Sequence, residues 1–405
     1  MAKSLDPATA GPQTLAIHGG EEPDPVTGAS SPNIVMSSTY VTDKPEGFSA
    51  SELTEESPFV YTRWGNPTVA QLERKIALME GCEAGAAFAS GMAAAHAILF
   101  TALSSGDHLI LSDVAYAGIA ELTRDTLPRM GILVSKVDTS DAANVANAMR
   151  AETRLVFIDT PNNPLMRLSD IAAISRIARE GGARVAVDNT FASPVGCNPA
   201  ALGADYVMHS ATKYIGGHGD AVGGIVCGKA ELIRPLISEA TVHYGGVMSP
   251  FNAWLISRGA ATLPLRMTAH QETARAVAQW LESDPRVERV IWPGLASHPQ
   301  HKLAAVQMQN FSGMLSFQPS GDAARGRAAA ERFAEKLGLI HYAVSLGHHR
   351  TLICYMPSED MISNSFGLDG AQAEAYRAWA GHGIFRLSVG LENPEDLIAD
   401  LDRVL

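Results

Sequence analysis

A single lysine in a short polar segment carries the clearest chemical signal in the chain. Lys213 follows the apolar run Asp205–Met208, with Ser210 and Thr212 just before it and the glycine-rich stretch 216–220 just after it. A lysine held where a strand ends can form a Schiff base with an aldehyde, and neighbouring hydroxyl groups can hydrogen-bond a phosphate. Pyridoxal 5'-phosphate (PLP) carries both groups, so the segment favours a PLP site. A solvated loop lysine is the competing interpretation of this segment alone.

An aspartate at the end of another apolar run supports the same interpretation. Asp188 follows Arg184–Val187. Burying a carboxylate without a partner is costly, and the pyridine nitrogen of PLP is a suitable partner because the carboxylate keeps it protonated. An aspartate that caps the turn at Asn189-Thr190 is an equal alternative when Asp188 is taken alone. Its place one strand unit before Lys213 favours the cofactor.

The motif Ser90-Gly91-Met92 opens a predicted helix directly after a strand. A helix start presents unpaired N–H groups and the positive end of the helix dipole, which suits a phosphate. An ordinary serine N-cap explains the same pattern. The motif therefore gains weight only in combination with Ser210 and Thr212, with which it forms a candidate phosphate site.

Two further residues suit a planar cofactor and an amino-acid substrate. Tyr116 ends the run Leu109–Ala115 and could stack on a ring, although packing at the edge of the core is the commoner role of such a tyrosine. Arg386 interrupts the apolar run Ile384–Gly390, and its guanidinium group matches a substrate carboxylate. An ion pair with an acidic side chain of the same chain is the alternative for Arg386.

Strand-like and helical patterns alternate in the first two thirds of the chain, which predicts crossover units and a mainly parallel sheet covered on both faces. The predicted strands are Ala84–Ala89, His108–Leu111, Ile132–Val137, Leu155–Ile158, Val185–Val187, Tyr206–Met208 and Gly224–Val226, and the predicted helices are Pro67–Glu80, Met92–Leu103, Asp141–Arg150 and Leu168–Glu180. Binding sites in such sheets lie beyond the carboxyl ends of the strands. Ser90, Tyr116, Asn163, Asp188 and Lys213 all stand at such positions.

The chain divides into three predicted parts. Residues 1–60 form an arm that packs on something larger, with disorder as the alternative, residues 61–255 form the large domain, and residues 256–405 form a smaller α+β domain. A long helix, from about 253 to 282, is expected to lead into the last part. Its predicted strands are Met314–Phe317, Ile340–Val344 and Ile384–Val389, and its predicted helices are Gly370–Ala380 and Asp396–Leu405.

The composition excludes several classes of function. The chain has 405 residues, of which 46% are hydrophobic and 18% charged, and a formal net charge of −12, which argues against nucleic-acid binding. It has no apolar run long enough to span a bilayer and no signal-peptide pattern. Cys82, Cys197, Cys227 and Cys354 are widely spaced and are interpreted as reduced thiols of a cytoplasmic protein, and no metal site is predicted.

These residues, in this order, resemble the cysteine and methionine metabolism family of fold-type I PLP enzymes. The resemblance runs from Ile17-His18-Gly19-Gly20 to Leu387-Ser388-Val389-Gly390, nearly the whole chain. Its most specific stretches are Tyr61-Thr62-Arg63-Trp64-Gly65-Asn66-Pro67-Thr68, Ala89-Ser90-Gly91-Met92, Val187-Asp188-Asn189-Thr190 and the segment from Ser210 to Asp220. The resemblance implies an α/β fold with a mainly parallel seven-stranded sheet in the large domain.

The resemblance also implies a role for each matched residue. Lys213 would hold PLP covalently, Asp188 would pair with the pyridine nitrogen, and Tyr116 would stack on the ring and protonate the leaving group. The phosphate would be bound by Ser90, Gly91, Met92, Ser210 and Thr212, and by Tyr61 and Arg63 of a neighbouring subunit. Asn163 would contact the cofactor's phenolic oxygen or the substrate, and Ser345 and Arg386 would hold the substrate carboxylate. Family members are usually homotetramers built from dimers, and residues 1–60 would then clasp a neighbouring subunit.

Three departures from the family pattern bear on the substrate. Ala117-Gly118-Ile119 stands where methionine γ-lyases have Gly-Cys-Thr, which argues against a strict methionine γ-lyase. Val344 stands where cystathionine-handling members tend to have glutamate, which favours the lyases. His348-His349-Arg350 replaces a run in which the last position is usually acidic; adjacent histidines on a strand point to opposite faces, which argues against a metal site. These residues either line the substrate entrance or form a different interface.

The resemblance thus implies a γ-lyase that acts on methionine or an O-substituted homoserine, which includes canavanine. A γ-replacement enzyme, meaning a homoserine sulfhydrylase or a cystathionine γ-synthase, is the alternative within enzymes. A non-catalytic PLP-binding protein is the alternative of another class, which the intact set of Lys213, Asp188, Tyr116 and Arg386 disfavours.

Overall fold

The structure is a computed structural model that describes residues 6–7, 9–42, 49 and 57–405. Part of the predicted arm, residues 1–5, 8, 43–48 and 50–56, therefore lies outside the described residues. Among the residues that are described, no helix combines the length and the apolar character needed to cross a membrane.

The secondary structure follows the predicted alternation. The strands are β1 Ala84–Phe88, β2 His108–Ser112, β3 Leu133–Val137, β4 Thr153–Asp159, β5 Arg184–Asp188, β6 Tyr206–His209, β7 Gly224–Gly228, β8 Val287–Ile291, β9 Met314–Pro319, β10 His341–Tyr342, β11 Leu352–Pro357 and β12 Gly383–Ser388. The α-helices are α1 Pro12–His18, α2 Pro67–Glu80, α3 Gly91–Ala102, α4 Ala117–Glu121, α5 Ala142–Ala148, α6 Ile171–Glu180, α7 Ser193–Gly196, α8 Ala230–Leu236, α9 Pro250–Ala260, α10 Leu263–Ser283, α11 His301–Gln307, α12 Ala323–Lys336, α13 Ser358–Asp360, α14 Gly370–Ala380 and α15 Pro394–Asp402. Short π-helical segments are Leu122–Thr126, Ile237–His243 and Met361–Phe366, and 3-10 turns are Leu127–Met130 and Pro199–Leu202.

The first sheet has seven strands in the order β1-β7-β6-β5-β4-β2-β3. β7 runs antiparallel to both of its neighbours, and the other pairs are parallel. The central strands are buried along almost their whole length, as in a parallel sheet covered by helices on both faces. The predicted mainly parallel seven-stranded sheet is confirmed.

Helix α2 shows how local sequence fixes an element at the edge of this sheet. The Asn66 side chain accepts hydrogen bonds from the N–H groups of Thr68 and Val69, and Pro67 occupies the first helical position. Gly81, with φ +68°, ends the helix in the left-handed conformation. The predicted bounds, Pro67–Glu80, agree with the structure.

The second sheet has five strands in the order β10-β11-β12-β9-β8 and is antiparallel except for the pair β10–β11. β8 and β11 were not among the predicted strands, and the predicted strand Ile340–Val344 is reduced to His341–Tyr342. In β8, Val287-Glu288-Arg289-Val290-Ile291, the two charged residues interrupt the apolar run that would have marked a strand.

The prediction of one long helix from about 253 to 282 is wrong, because the chain forms α9 and α10 with a break between them. Pro264 lies in the first turn of α10, where its missing N–H costs nothing. Arg266 holds the break, since its guanidinium group donates to the carbonyl oxygens of Gly259 and Tyr214, both at 2.7 Å.

The described part of the arm is not wholly extended, because it contains α1. The amine of Lys75 on α2 is fully buried and donates to the Ala16 carbonyl at 2.7 Å, and it forms an ion pair with Glu21 at 2.7 Å. The start of the arm is thus attached to its own chain. Val26, Met36 and Val41 are exposed further along the arm.

Candidate functional site

Lys213 lies in the loop between β6 and β7, at the edge of the first sheet. Its Nζ donates a hydrogen bond to Ser345 Oγ at 2.8 Å. Burial, and next the positive charge of Arg386, lower the pKa of the Lys213 amine to about 8, while Asp188 acts in the opposite direction. An amine with this pKa is partly neutral near neutral pH, so it can attack a carbonyl carbon or accept a proton.

Asp188 ends β5 with a buried side chain. Its carboxylate accepts hydrogen bonds from the Thr190 N–H at 3.0 Å and the Thr190 hydroxyl at 2.5 Å. Burial raises the pKa of Asp188, against the effect of the Thr190 donors and of the charges on His209 and Lys213. Both Thr190 donors are neutral, so the carboxylate can still accept a cationic N–H group, and the pyridine nitrogen of PLP fits this position.

A second carboxyl group lies beside Asp188. The parallel pairing of β4 with β5 sets Asp159 opposite Asp188, and Asp159 is only 6% exposed. Burial, and next the negative charge of Asp188, raise the pKa of Asp159 well above its usual range, whereas the backbone N–H groups of Asn163 and Tyr116 act in the opposite direction. The charge of Asp188 favours the protonated form of Asp159, and we infer that Asp188 is the charged member of the pair.

The first turn of α3 forms one wall of the candidate phosphate site. Ser90 is the N-cap, and its Oγ accepts from the Ala93 N–H at 3.1 Å. The N–H groups of Gly91 and Met92 have no acceptor within the helix, whose first backbone hydrogen bond runs from the Ala94 N–H to the Ser90 carbonyl, as expected for an anion site. A Cβ atom on Gly91 would lie 2.8 Å from the Cβ of Ser210, so glycine is needed for this close approach.

The hydroxyl groups of Ser210 and Thr212, in the loop that carries Lys213, differ in their hydrogen-bond partners. Ser210 Oγ has no hydrogen bond to any of the described residues, whereas the backbone N–H of Ser210 donates to Thr190 Oγ1 at 2.8 Å. Thr212 Oγ1 exchanges hydrogen bonds with Gly223, accepting at 3.0 Å and donating at 3.1 Å. Ser210 is therefore free to donate to a phosphate, whereas Thr212 must first give up its bond to the Gly223 carbonyl.

Arg386 lies on β12 and is only 7% exposed. Its guanidinium group donates to Asn163 Oδ1 at 3.0 Å and to the Ser345 carbonyl oxygen at 3.0 Å. Both partners are neutral, and none of the acidic residues in the described part of the chain forms an ion pair with it. The guanidinium thus keeps a positive charge that a substrate carboxylate can neutralise.

Tyr116 precedes α4 and is 47% exposed, so packing at the edge of the core is not its role in the single chain. A Cβ atom on Gly118 would lie 3.0 Å from both the Tyr116 ring and the sulfur of Met92, which places these side chains together. The ring is therefore available to cover a planar group bound near the start of α3.

The structure does not bring Tyr61 and Arg63 to this site. The Arg63 guanidinium lies 5.3 Å above the Tyr61 ring and donates to the Val242 carbonyl. No contact among the described residues links either side chain to Ser90, Ser210 or Lys213. Both residues were expected to act on a neighbouring subunit, and their separation from the site agrees with that expectation without testing it.

The segment His348-His349-Arg350 lies in a loop before β11, so the strand on which the two histidines were placed is wrong. The His349 N–H donates to the Gly217 carbonyl at 3.0 Å, and a Cβ atom on Gly219 would lie 2.7 Å from the His348 ring. The segment therefore packs against the glycines that follow Lys213.

Sequence reasoning missed two residues of the site, Asp159 and Thr190, and left two alternatives for His348, the substrate entrance or a different interface. Asp159 could have been found, because it ends an apolar strand just as Asp188 does. Thr190 is two residues after Asp188, a spacing at which a hydroxyl can bond the carboxylate. The position of His348 had no sequence signal, since it depends on a contact between loops far apart in the chain.

The chain is similar to known proteins over nearly its whole length. Residues 13–405 match the family model described as Cys/Met metabolism PLP-dependent enzyme. The chain is 41% identical to canavanine γ-lyase of Pseudomonas canavaninivorans over 97% of this chain and 95% of that protein. It is 40% identical to L-methionine γ-lyase of Porphyromonas gingivalis over 98% of both chains.

A solved structure shows the same fold. The crystal structure of metB from Corynebacterium glutamicum covers 99% of both chains, with a TM-score of 0.89 and 36% sequence identity. PLP is the cofactor of this family, and the partly buried lysine, the strand-end carboxylate and the helix start of the candidate site fit that cofactor. The chain belongs to the Cys/Met metabolism family of PLP-dependent enzymes.

Proposed function

We propose that the protein is a PLP-dependent γ-lyase that cleaves the γ-substituent of methionine or an O-substituted homoserine, with canavanine among the candidates. The main support is the position of the Lys213 amine, which has a lowered pKa and lies hydrogen-bonded to Ser345 between the charges of Asp188 and Arg386. The names of the relatives, a canavanine and a methionine γ-lyase, support the same reaction class.

The contacts of these side chains support each proposed cofactor-binding role. Asp188 binds the ring nitrogen, and Ser90, Gly91, Met92, Ser210 and Thr212 bind the phosphate. When bound, PLP supplies an electron sink that stabilises negative charge at the substrate's Cα. Lys213 would hold the cofactor covalently through its Nζ atom.

The substrate-binding roles follow from Arg386 and its neighbours. Arg386 and Ser345 bind the substrate carboxylate, and Asn163 orients the guanidinium through its Oδ1 atom. This anchoring places Cα beside the Lys213 amine, which would remove the α-proton. The amine must pass that proton on, to the bound cofactor or to solvent, before it can remove a second proton from Cβ. Tyr116, whose ring is half-exposed and lies near Met92, donates a proton to the leaving heteroatom at Cγ.

The proposal also includes a cytoplasmic homotetramer built from two dimers, in which Tyr61 and Arg63 complete the phosphate site of a neighbouring subunit. The exposed apolar residues Val26, Met36 and Val41 suit an arm, residues 1–60, that packs on another chain. Mixing two inactive variants, Arg63→Ala and Lys213→Ala, should restore activity after subunit exchange, because hybrid dimers contain one intact site. Mixtures as inactive as their parents would contradict a shared site.

The covalent role of Lys213 has a direct test. Reduction of the PLP-loaded protein with borohydride, followed by peptide mapping, should label Lys213 and nothing else. The Lys213→Arg variant, which keeps the charge, is the matched control and should remain unlabelled. A label on another lysine of the wild-type protein would contradict the proposed site.

The reaction itself is tested by release of 2-oxobutanoate from methionine, homocysteine, cystathionine, O-acetylhomoserine, O-succinylhomoserine and canavanine, each with and without added thiol. Release without thiol supports the γ-lyase. Product formation only with thiol would indicate a γ-replacement enzyme, homoserine from canavanine would indicate hydrolytic displacement, and no reaction with any compound would indicate a non-catalytic PLP-binding protein.

A further inference from the structure

A buried carboxylate at the end of helix α2 contacts the ends of two strands that carry the cofactor site. Glu80 is the last residue of α2, and its side chain is buried. Its Oε1 atom accepts from His209 Nε2 at 2.6 Å and from Asn189 Nδ2 at 2.9 Å. His209 is the last residue of β6, and Asn189 directly follows β5. A single oxygen atom of Glu80 thus joins the two strand ends.

These strand ends hold groups proposed to bind opposite ends of PLP. Asp188, the last residue of β5, is the proposed partner of the ring nitrogen, and Ser210, the first residue after β6, is a proposed phosphate ligand. The register between the two strands ends at Asp188. Beyond that point the segments are linked by the Ser210 N–H, which donates to Thr190 Oγ1 at 2.8 Å, and by the Glu80 carboxylate.

A carboxylate at this position is unfavourable for the helix and for burial. The C-terminal end of a helix carries a partial negative charge, and removing a carboxylate from water is costly. Its second oxygen, Oε2, accepts from Asn198 Nδ2 at 3.3 Å. Among the described residues, His209 Nδ1 is buried without a hydrogen-bond partner, so Glu80 alone orients the imidazole by hydrogen bonding. An apolar side chain would fill the space at lower cost, which points to a positioning role for the carboxylate.

We propose that Glu80 is a positioning residue that sets the distance between Asp188, at the ring-nitrogen end of the site, and Ser210, at the phosphate end. It acts through Asn189 and His209, which adjoin these two residues in the chain. The inference rests on the proposed cofactor site, because it takes Asp188 and Ser210 to bind the two ends of PLP. Without the Oε1 acceptor the strand ends shift relative to each other, and a ligand that spans both segments loses part of its binding.

Two ligands separate this role from a general effect on stability. Pyridoxine 5'-phosphate has the ring nitrogen and the phosphate of PLP but an alcohol in place of the aldehyde, so it spans both segments without reacting with Lys213. Inorganic phosphate occupies the phosphate site alone. The dissociation constants of both ligands for the full-length apoprotein are measured by calorimetry, and thermal unfolding of each variant is the control for folding.

Glu80→Met, which keeps the length of the side chain but removes the acceptor, should bind pyridoxine 5'-phosphate about tenfold or more weakly than the wild type. Its affinity for inorganic phosphate should stay within about twofold of the wild-type value. Glu80→Gln can still present an oxygen to His209 and Asn189, so it should restore most of the lost affinity. Asn198→Ala is the matched control, since it removes the Oε2 contact and leaves the link between the strand ends, and it should bind both ligands as the wild type does.

Equal losses of affinity for the two ligands in Glu80→Met would show a purely structural role and overturn the inference. So would unchanged binding of pyridoxine 5'-phosphate, a Glu80→Gln protein as impaired as Glu80→Met, or a selective loss in Asn198→Ala. If Glu80→Met does not fold, Asn189→Ala, which removes one of the two donors, decides by the same comparison of ligands. Failure of the proposed cofactor site would appear separately, as wild-type protein that binds pyridoxine 5'-phosphate no more tightly than inorganic phosphate. Failure of the γ-lyase proposal would appear as absence of 2-oxobutanoate from every compound.

Discussion

Replacing each of the paired carboxyl groups, Asp159 and Asp188, by its amide should show which of them is charged. Their strands are adjacent and in register, so the two side chains share one buried region. Burial raises the pKa of both groups, but Asp159 is affected further because it faces the charge of Asp188, whereas Thr190, His209 and Lys213 favour the ionised form of Asp188. We therefore expect Asp188→Asn to weaken PLP binding strongly and Asp159→Asn to leave it nearly unchanged.

The size of the difference follows from the charge that each substitution removes. Two opposite unit charges about 4 Å apart interact by about 4 kcal/mol at an effective dielectric constant near 20. Part of this energy offsets the desolvation of the two charges, so we expect a net loss of about 2–3 kcal/mol in Asp188→Asn, or about 30- to 150-fold in the dissociation constant for PLP. Asp159→Asn replaces one neutral group by another, and its Oδ1 atom can still accept from the backbone N–H groups of Tyr116 and Asn163.

The measurement is titration of each apoprotein with PLP at pH 7, followed by absorbance and calorimetry, with thermal unfolding of the apoproteins as the control for folding. If Asp159→Asn weakens binding as much as Asp188→Asn does, Asp159 carries the charge and our assignment is inverted. If neither substitution weakens binding, the ring nitrogen of the cofactor does not contact this pair.

Three further predictions concern other groups. Arg386→Met should raise KM by about a hundredfold with PLP binding unchanged, because it removes charge-assisted hydrogen bonds worth about 1.5–3 kcal/mol each; a change only in kcat would place Arg386 elsewhere in the reaction. The rate of PLP attachment to the apoprotein should rise about tenfold per pH unit below about 8 and level off above it, since only neutral Lys213 attacks the aldehyde and burial lowers its pKa to about 8; a rate independent of pH would contradict this. His270 is fully buried, which lowers its pKa to about 4. Between pH 6.5 and 4 the unfolded chain binds a proton at His270 and the folded chain does not, so the free energy of unfolding falls by about 3 kcal/mol as the pH falls towards 4. Urea unfolding midpoints of His270→Gln should accordingly depend less on pH between 7 and 4.5 than those of the wild type, and parallel curves would contradict the burial argument.

Much of the first sheet was predictable because its central strands are buried on both faces and form continuous apolar runs in the sequence. β2, β5 and β7 are of this kind, and each was placed within two residues. The second sheet was less predictable because it is antiparallel and partly exposed, so its strands mix polar and apolar residues. β8, with Glu288 and Arg289 in its centre, gave no apolar run to recognise.

The candidate site also has residues that could be predicted from the sequence and residues that could not. Lys213, Ser345, Asn163 and Arg386 were all anticipated, and the structure brings them within hydrogen-bonding distance of one another. Their catalytic and binding roles stay predictions. The position of His348 was not predictable, because the apolar and turn patterns on which sequence reasoning depends do not report which loops touch.

The first sheet carries the residues proposed to bind PLP, and the second sheet carries the proposed carboxylate anchor, so substitutions in the two sheets should affect different steps of binding. The residues proposed to bind PLP lie on or after the strands of the first sheet, whereas Arg386 and Ser345 belong to the second sheet and to the loop before β11. The contacts that join them include Lys213 to Ser345 at 2.8 Å and Arg386 to Asn163 at 3.0 Å. A substitution that shifts the second sheet therefore moves the carboxylate anchor relative to the amine without disturbing the phosphate site. Such variants should bind PLP normally and lose substrate affinity. Variants at Ser90, Gly91 or Asp188 should instead lose affinity for PLP, because these residues belong to the cofactor-binding part of the site on the first sheet.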